Sequence, residues 1–339
     1  MSKRHLTKQQ QRRIQRNQDK ASAAADQRQA EETLATADLG PEQNGRVVAC
    51  FGSQVDVESD PPVDGAIRRC HLRANLPTIV TGDKVIWQDG EPQGVVVAAK
   101  PRHSELCRPD GRGRLRPVAA NIDRIAVVIA PLPEPHRNLI DRYLVAAEHQ
   151  GITPMLVMNK SDLVDDLNRT TLFDMLADYA ALGYDCIQVS ARSGDSLGLL
   201  ADQLDRITSV FVGQSGVGKS SLLNALAPGT DTAVGDLSEA VTKGTHTTTT
   251  ARLFHLPNGG EVIDSPGIRE FGLWHLEPTD VASGFTEFRP FLGHCKFRDC
   301  QHRGTEPGCA VEQALANGQL TQQRVDSYRH ILQSLETGR

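Results

Sequence analysis

The sequence predicts an α/β protein in which a parallel β-sheet is preceded by a small β-barrel and followed by a short helical module. Strand-like and helix-like patterns alternate from about residue 117 to residue 263, as in doubly wound parallel sheets. Short β-type runs separated by turn residues occupy residues 40–109, a spacing typical of small barrels. Three cysteines and a histidine lie between residues 295 and 309, which indicates a metal-stabilised module.

The composition limits the classes of protein to which this chain of 339 residues can belong. It is 39% hydrophobic with a mean hydropathy of −0.36, which suits a water-soluble protein with buried cores. The net charge of −5 excludes an overall basic field, so any contact with nucleic acid must come from local patches. The sequence shows neither the apolar core of a signal peptide nor an apolar run long enough to span a membrane. Its seven cysteines, an odd number, favour a reducing compartment. We therefore expect a cytoplasmic protein with no membrane contact.

Residues 1–39 are predicted to form a disordered basic tail. Seven of the first 20 residues are Lys or Arg against a single acid, and the continuation has too few large apolar residues to bury a core. Two interpretations stay open: a solvated tail, or a basic arm that contacts nucleic acid and becomes helical on binding.

Residues 40–110 are predicted to form a β-barrel resembling the OB-fold. The candidate strands are residues 46–51, 54–57, 66–70, 83–87 and 94–99, with turn residues between them. Such barrels often bind oligonucleotides, although small barrels have many other functions. The basic residues that could support RNA binding are Arg68, Arg69, Arg73 and Lys84. Residues 102–116, rich in arginine and glycine, are expected to be a flexible connection.

Residues 111–284 are predicted to form the α/β domain. The expected strands are residues 122–130, 153–158 and 184–189, a strand leading into residue 213, and a strand near residues 261–263. The expected helices are residues 139–150, 166–182 and 197–206, with another after residue 219. Ligands of such sheets bind beyond the carboxyl ends of the strands, and the motifs below all follow strand ends.

A glycine-rich loop after one strand matches the phosphate-binding pattern GxxxxGK[ST]. Its backbone N–H groups can surround an anion, Lys219 can reach the β- and γ-phosphates, and the Ser220 hydroxyl can bind Mg²⁺. A chance match in a chain of this length has a probability of about 1%, so a nucleoside triphosphate site is favoured over a turn that binds nothing. The predicted contacts are Gly213, Gln214, Ser215, Gly216, Val217, Gly218, Lys219, Ser220 and Ser221.

An NKxD pattern at another strand end predicts recognition of guanine. The Asp162 carboxylate can accept hydrogen bonds from the guanine ring N–H and amine, whereas adenine would leave it unsatisfied at a cost of about 1–3 kcal/mol. Asn159 is expected to brace the neighbouring loops and the stem of Lys160 to lie over the base. The remaining predicted contacts are Ser161 and the companion turn Ser190 and Ala191.

A third motif, Asp264 to Gly267, matches the DxxG element of GTPases. Asp264 would hold Mg²⁺, mostly through water, and the Gly267 amide would contact the γ-phosphate. A threonine of residues 247–250 would complete the Mg²⁺ shell, as in switch loops. The sequence does not choose among the four threonines, so Thr249 is a working assignment, and a solvated threonine-rich loop remains the alternative.

The order of the motifs predicts a circularly permuted P-loop GTPase domain. The base-recognition motifs precede the phosphate loop, the reverse of the usual order. Ile268 stands where many GTPases have a glutamine that orients the attacking water, and an apolar side chain cannot do this. His246 is the best local substitute, so His246 and Lys219 are the candidate catalytic residues; a structural or surface role for His246 stays open.

Residues 285–339 are predicted to form a small zinc-binding domain with C-terminal helices. Three thiolates and an imidazole make a tetrahedral donor set that suits structural Zn²⁺ better than an iron–sulfur cluster. The predicted ligands are Cys295, Cys300, His302 and Cys309. Nearby basic residues could contact RNA phosphates: His294, Lys296, Arg298 and Arg303. Residues 311–335 are expected to form one or two helices.

In this order, the motifs closely resemble those of the ribosome small-subunit-dependent GTPase A family, and the resemblance covers about residues 40–339. It implies a bacterial cytoplasmic GTPase that acts late in small-subunit assembly and whose hydrolysis of GTP the subunit stimulates. It also implies that the barrel and the zinc domain contact rRNA. We expect GTP, Mg²⁺ and one Zn²⁺ per chain, and a monomer, although the sequence itself does not determine the oligomeric state. The family places a histidine at the position of His246, and Ile268 also fits the family.

Three functional hypotheses follow. In the first, GTP orders residues 238–250 and 264–274, which changes the contacts offered to the subunit until hydrolysis releases the protein. The second is an RNA-binding scaffold with a nearly inert nucleotide pocket, which the absent glutamine supports and the intact Lys219 and Ser220 oppose. The third is a GTPase that acts on a partner other than the ribosome, such as a metal-delivery protein with a zinc-sensing tail.

Overall fold

The computed structural model describes residues 38–62, 66–110, 114–229, 251–264 and 276–337. The chain divides into two compact units between Pro101 and Arg102, and each is described by itself. The predicted basic tail lies outside the described residues, apart from its last two positions. No helix in the described part of the chain is both long enough and apolar enough to span a bilayer.

The first unit is a closed barrel of five strands, as predicted. Strand β1 pairs with β2 and β4, β2 with β3, and β4 with β5, all antiparallel, and β3 pairs with β5 in parallel, which closes the ring. The interior is made of alternating inward-facing residues, among them Val47, Val57, Val85, Trp87 and Val96. The strands are β1 (Asp38–Phe51), β2 (Gln54–Ser59), β3 (Ile67–Leu72), β4 (Lys84–Glu91) and β5 (Gly94–Ala99).

The second unit begins with a β-hairpin where the sequence predicts a flexible connection. Strands β6 (Glu105–Pro109) and β7 (Leu115–Ala120) pair antiparallel, so the prediction for residues 102–116 is wrong. Leu106 and Ala119 are fully buried. Ser104 also accepts the backbone N–H of Ile122 at 2.7 Å and donates to its carbonyl at 2.6 Å. The hairpin is therefore anchored by burial and hydrogen bonding at its base, while its basic residues face solvent.

The second unit is built on a sheet of six strands. Its strand order is β10-β9-β8-β11-β13-β12, and all neighbours are parallel except β12 and β13. The sequence analysis predicted every strand but β12. The strands are β8 (Arg124–Ile129), β9 (Thr153–Met158), β10 (Asp185–Gln188), β11 (Thr208–Val212), β12 (Arg252–His255) and β13 (Glu261–Asp264). Because the order reverses between β8 and β11, a ligand crevice is expected at their carboxyl ends.

Helices cover both faces of this sheet. The helices are α1 (Arg137–His149), α2 (Arg169–Ala181), α3 (Leu197–Gln203) and α4 (Lys219–Leu226). One core joins Ala126 and Val128 of β8 to Leu200 of α3 and Leu222 of α4. The alternate β8 residue Val127 faces Ile140 and Tyr143 of α1. Residues 125–129 of β8 are consequently buried on both sides, which explains the continuous apolar run in the sequence.

The remaining helices pack against this sheet domain. They are α5 (Pro278–Gly284), a 3-10 helix (Thr286–Phe291), α6 (Ala310–Ala316) and α7 (Gln322–Thr337). Helix α5 lies against α1, and a Cβ on Gly284 would be 2.7 Å from Cγ1 of Val145. Helices α6 and α7 were predicted. Helix α5 was not, because seven residues leave too short a pattern to recognise.

Candidate nucleotide site and metal centre

The phosphate-loop pattern lies between β11 and α4, and its glycines adopt backbone conformations that other residues avoid. Gly213, Gly216 and Gly218 have φ values of 137°, 85° and 91°. A Cβ on Gly213 would overlap the carbonyl oxygen of Val128 in β8, and one on Gly218 would be 2.5 Å from Nδ2 of Asn159. The loop can therefore pass β8 and the NKxD loop only with glycine at these positions.

Lys219 brings a buried positive charge to the loop. Its Nζ donates to the carbonyl oxygens of Gly213 at 2.7 Å and Gln214 at 2.8 Å, and only 8% of the residue is exposed. Lys219 also begins α4, whose first N–H groups carry partial positive charge. A buried ammonium group and a helix N-terminus together favour phosphate at this position.

Asn159 ties three loops together, as its brace role predicts. It is 1% exposed; its Nδ2 donates to the carbonyl of Val217 at 3.0 Å, and its Oδ1 accepts the N–H of Ala191 at 3.1 Å. The phosphate loop, the NKxD loop and the turn after β10 therefore have a fixed mutual position. The predicted base-binding and phosphate-binding loops are thus joined through one buried amide.

Lys160 adds a second link between loops. Its Nζ donates to the carbonyl oxygens of Gly216 at 2.6 Å and Leu132 at 2.9 Å. The backbone of Lys160 has a φ of 58°, an uncommon conformation for a residue with a side chain. The Nζ atom thus joins the phosphate loop to the residues after β8, and the aliphatic stem is free to form a wall for a flat ring.

Ser190 holds the carboxylate of Asp162 in place. The Ser190 hydroxyl donates to Oδ1 of Asp162 at 2.6 Å and accepts the N–H of Ser193 at 3.1 Å. Ser190 is fully buried. The second carboxylate oxygen of Asp162 has no hydrogen-bond partner among the residues that the structure describes. This arrangement leaves acceptor capacity for the two N–H donors of a guanine.

An open pocket of about 410 Å³ lies between these loops. Its volume is in the range of small-molecule sites. It is lined by Asn159, Lys160, Asp162, Leu163, Ala191, Arg192, Gly218 and Ser221. The sequence analysis missed Leu163 and Arg192, although each directly follows a motif residue in the sequence, so this adjacency could have identified them.

The predicted magnesium residues Ser220 and Asp264 lie at the same edge of the sheet. Ser220 is in the first turn of α4, and Asp264 ends β13, which is parallel to the phosphate-loop strand β11. The remaining predicted residues of this part of the site, His246, Thr249 and Gly267, lie outside the described residues together with Ile268. Their roles stay predictions.

The four predicted zinc ligands come together in the second unit. The donor atoms of Cys295, Cys300, His302 and Cys309 all lie within 4.8 Å of one another. Nδ1 of His302 is 3.5, 3.6 and 3.4 Å from the three sulfur atoms in that order. A tetrahedral zinc ion requires an S–N separation of about 3.6 Å, so the geometry fits this ion.

Without a cation, burial favours the neutral forms of His302 and Cys300. Burial lowers the pKa of His302, which favours the neutral ring that a metal needs. Burial, reinforced by the neighbouring thiols Cys309 and Cys295, raises the pKa of Cys300 to about 12. A divalent ion would supply the positive charge that holds the three sulfur atoms as thiolates.

Comparisons with known proteins agree with this site. The family model described as RsgA GTPase matches residues 99–274. Two relatives, each named small ribosomal subunit biogenesis GTPase RsgA, are 60% identical to the chain. The protein of Pseudomonas aeruginosa PAO1 matches over 338 residues and that of Azotobacter vinelandii DJ over 339, each covering 99% of this chain and 98% of the relative.

Two solved structures share the fold. The crystal structure of YjeQ from Thermotoga maritima is 31% identical with a TM-score of 0.72, covering 88% of this chain and 100% of the other. The structure of YloQ, described as a circularly permuted GTPase, is 30% identical with a TM-score of 0.70, covering 88% and 96%. The motif order of this chain and the strand order of its sheet agree with such a permutation.

Proposed function

The chain belongs to the RsgA GTPase family and is therefore a GTPase; on this premise we propose that it binds the small ribosomal subunit and acts late in the assembly of that subunit. The observation that carries the proposal is 60% identity to relatives of this name over 99% of the chain. The subunit stimulates hydrolysis of GTP to GDP and phosphate, and the GDP state releases the protein. In this proposal the chain is a cytoplasmic monomer.

The base pocket selects guanine through Asp162. With Oδ1 bonded to Ser190, the carboxylate accepts from the ring N–H and the exocyclic amine of guanine. Lys160 covers one face of the base, and Arg192 lines the pocket. Adenine offers no matching pair of donors, so its binding would leave the carboxylate unsatisfied.

Phosphate binding and hydrolysis depend on the other half of the site. Lys219 neutralises charge on the β- and γ-phosphates, and Ser220, Asp264 and Thr249 hold Mg²⁺, which supplies electrostatic stabilisation of the phosphates when bound. Water attacks the γ-phosphorus and the bond to the β–γ bridging oxygen breaks. His246 positions this water, because Ile268 cannot.

The catalytic assignment is tested by His246→Ala. The variant is expected to keep its affinity for GTP and to lose most of its subunit-stimulated turnover, since positioning residues of this kind contribute about 10²-fold or more. Single-turnover phosphate release with saturating subunits measures this. Full stimulated turnover in the variant would remove His246 from the mechanism.

The C-terminal part, residues 285–339, is a zinc-binding domain in this proposal. Cys295, Cys300, His302 and Cys309 hold one structural Zn²⁺, as their S–N distances and closed donor set support. In the sequence the five-stranded barrel precedes the GTPase domain and this domain follows it, and in this proposal both contact rRNA. In the sequence, residues 265–277 join Asp264 to α5, and α5 packs on α1. The predicted second switch is therefore followed directly in the chain by the elements that lead into the zinc-binding domain.

Cosedimentation with purified small subunits tests the proposed function. The protein is expected to sediment with subunits in the presence of a non-hydrolysable GTP analogue and to stay in the supernatant with GDP. Phosphate release at substoichiometric protein should rise when subunits are added. Equal sedimentation in both nucleotide states and equal turnover would contradict the proposal and favour an RNA-binding scaffold with an inert pocket.

A further inference from the structure

Ion pairs neutralise four of the six lysine and arginine side chains of the C-terminal region. Residues 276–337 contain six Lys and Arg residues. Four of them make ion pairs with carboxylates: Arg289 with Glu148, Arg303 with Glu336, Arg324 with Glu287, and Arg329 with Glu312. The other two, Lys296 and Arg298, have no carboxylate partner within the described ranges and are exposed. These two residues flank Phe297.

Phe297 exposes its aromatic ring between these cations. The residue is 46% exposed, and Nζ of Lys296 lies 5.5 Å from the centroid of the ring. Single exposed apolar residues are common on proteins. What distinguishes this one is that the two lysine and arginine side chains of residues 276–337 that make no ion pair with described residues lie on either side of it. The neighbouring acid Asp299 is in no ion pair with described residues. Together with Lys296 and Arg298 it leaves this short stretch with a small net positive charge.

The loop that carries the ring is held in place. Cys295 and Cys300 bracket it, and both belong to the metal-ligand cluster. The N–H of Lys296 donates to the carbonyl of Gly308 at 3.0 Å, and the N–H of Cys300 donates to the carbonyl of Phe297 at 3.4 Å. An exposed ring on a fixed loop loses little conformational freedom on binding, which favours its use as a contact.

We propose that Phe297 is a stacking platform for one unpaired base of RNA and that Lys296 and Arg298 contact the phosphates on either side of that base. Every base presents a π-face that an aromatic ring can stack on, and flanking cations follow the backbone. The base must be unpaired, because bases in a duplex are already stacked on their neighbours. The inference rests on the proposed function, which brings the chain to a particle rich in RNA; an acidic protein surface is the alternative partner.

Phe297→Trp converts the ring into a fluorescent reporter of stacking. An unstructured RNA oligonucleotide of about ten nucleotides is expected to quench the new indole, since stacked bases quench tryptophan. The wild-type chain, which contains Trp87 and Trp274, supplies the background signal. Inorganic polyphosphate, a polyanion without bases, is expected to bind the cations without quenching. Zinc content and the thermal unfolding midpoint verify that the variant is folded.

Salt dependence separates the roles of the ring and the cations. Phe297→Ala is expected to weaken binding of the oligonucleotide roughly 5- to 100-fold and to leave the slope of log K against log salt unchanged. Lys296→Ala is expected to reduce that slope by about 0.7, the value for one phosphate contact on a single strand. Leu199→Ala, which removes an exposed apolar side chain from α3, is the matched control and should change neither quantity.

The outcomes distinguish this inference from the proposed function. If the wild-type chain does not sediment with small subunits, the proposed function fails. If the wild type sediments but Phe297→Ala sediments equally well, or bound RNA leaves Phe297→Trp unquenched, only the stacking inference is overturned. Loss of subunit binding in Phe297→Ala without quenching of Phe297→Trp would assign the ring to a protein contact and would also overturn the inference.

Discussion

In the proposed base pocket, the buried hydroxyl of Ser190 fixes the orientation of the Asp162 carboxylate. It holds Oδ1 of Asp162 at 2.6 Å and is itself fixed by the N–H of Ser193 at 3.1 Å. A carboxylate held in this way loses less conformational freedom when guanine arrives. Specificity at this site is therefore distributed between the residue that contacts the base and the residue behind it.

Ser190→Ala should weaken GTP and GDP binding about 10- to 100-fold, because a hydrogen bond to a charged group contributes about 1.5–3 kcal/mol. Equilibrium titration with a fluorescent guanine nucleotide measures this. Ser193→Ala is the matched control, since its hydroxyl bonds Asp195 at an exposed position and should leave affinity unchanged. The same loss in both variants would show that the turn as a whole, not the bond to Asp162, had been damaged.

Asp162→Asn should exchange guanine specificity for xanthine specificity. The amide of asparagine can donate to the carbonyl that xanthine has in place of the guanine amine, whereas the carboxylate cannot. Competition between GTP and xanthosine triphosphate for the variant measures the exchange. An unchanged preference for GTP would overturn the assignment of Asp162.

At the scale of elements, one buried arginine joins α7 to the sheet domain. Arg324 bonds Asp141 of α1 and Glu287 of the 3-10 helix, and its guanidinium lies 4.5 Å from the Phe285 ring centroid. Asp141 is 1% exposed and accepts the Tyr179 hydroxyl at 2.6 Å. Burial raises the pKa of Asp141, which Arg324 opposes. Loss of either partner would therefore leave the other as an uncompensated buried charge.

Arg324→Ala should lower the free energy of unfolding by about 3–5 kcal/mol, because it leaves buried carboxylates uncompensated. Urea denaturation followed by circular dichroism measures this. Arg303→Ala removes the more exposed pair with Glu336 and should cost less than about 1 kcal/mol. If Asp141→Asn in the Arg324→Ala background restores no stability, the uncompensated charge is not the cause.

Elements that carry their own pattern could be predicted from the sequence, and those that depend on distant partners could not. The apolar run of β8 and the glycines of the phosphate loop are local signals, and both lie where predicted. The β6–β7 hairpin is rich in arginine and is stabilised by burial of Leu106 and bonds to Ile122, neither of which the local sequence reveals. Strand β12 has four residues and is defined only by its pairing with β13.

The residues of the candidate site also divide into those with a local sequence pattern and those that depend on distant partners. Four residues of the predicted guanine motifs, Asn159, Lys160, Asp162 and Ala191, line one pocket, because each motif has a fixed position after a strand end. The hydrogen bond that joins Ser190 to Asp162 and the contact of Lys160 with Leu132 required the three-dimensional arrangement. The burial and ion pairs of Arg324 could not be predicted from the sequence. Its partner Asp141 is distant in the chain, and charged residues of helices lie mostly at the surface.

At the scale of the whole molecule, the predicted metal ligands lie in a loop that hydrogen bonds and packing, rather than helices or strands, hold in place. This loop contains no regular secondary structure from residue 292 to residue 309, within the described residues. The Tyr328 hydroxyl of α7 donates to the carbonyl of Gln301 at 2.7 Å, and its ring packs on Phe288. The loop therefore links the cluster to α7 and to the aromatic core beneath it.

Removal of the metal should unfold this loop and leave the nucleotide site intact. A chelator is expected to expose the three cluster thiols to a thiol reagent and to abolish subunit binding, while affinity for guanine nucleotide changes less than about threefold, since bound metal contributes folding energy locally. Thiol titration with parallel nucleotide titration checks this. Without chelator, the four cysteines outside the cluster, Cys50, Cys70, Cys107 and Cys186, supply the baseline. Equal loss of nucleotide affinity would indicate a single cooperative unit.

The strand order of the sheet has a consequence for biosynthesis. As the chain is translated, β8, β9 and β10 emerge first and can pair, but the neighbour of β8 on its other side is β11, which follows only after α3. Until then the nascent chain carries an apolar strand with one open edge, the kind of surface that pairs wrongly with other chains. Chains truncated between β10 and β11 would keep this edge open and are expected to aggregate.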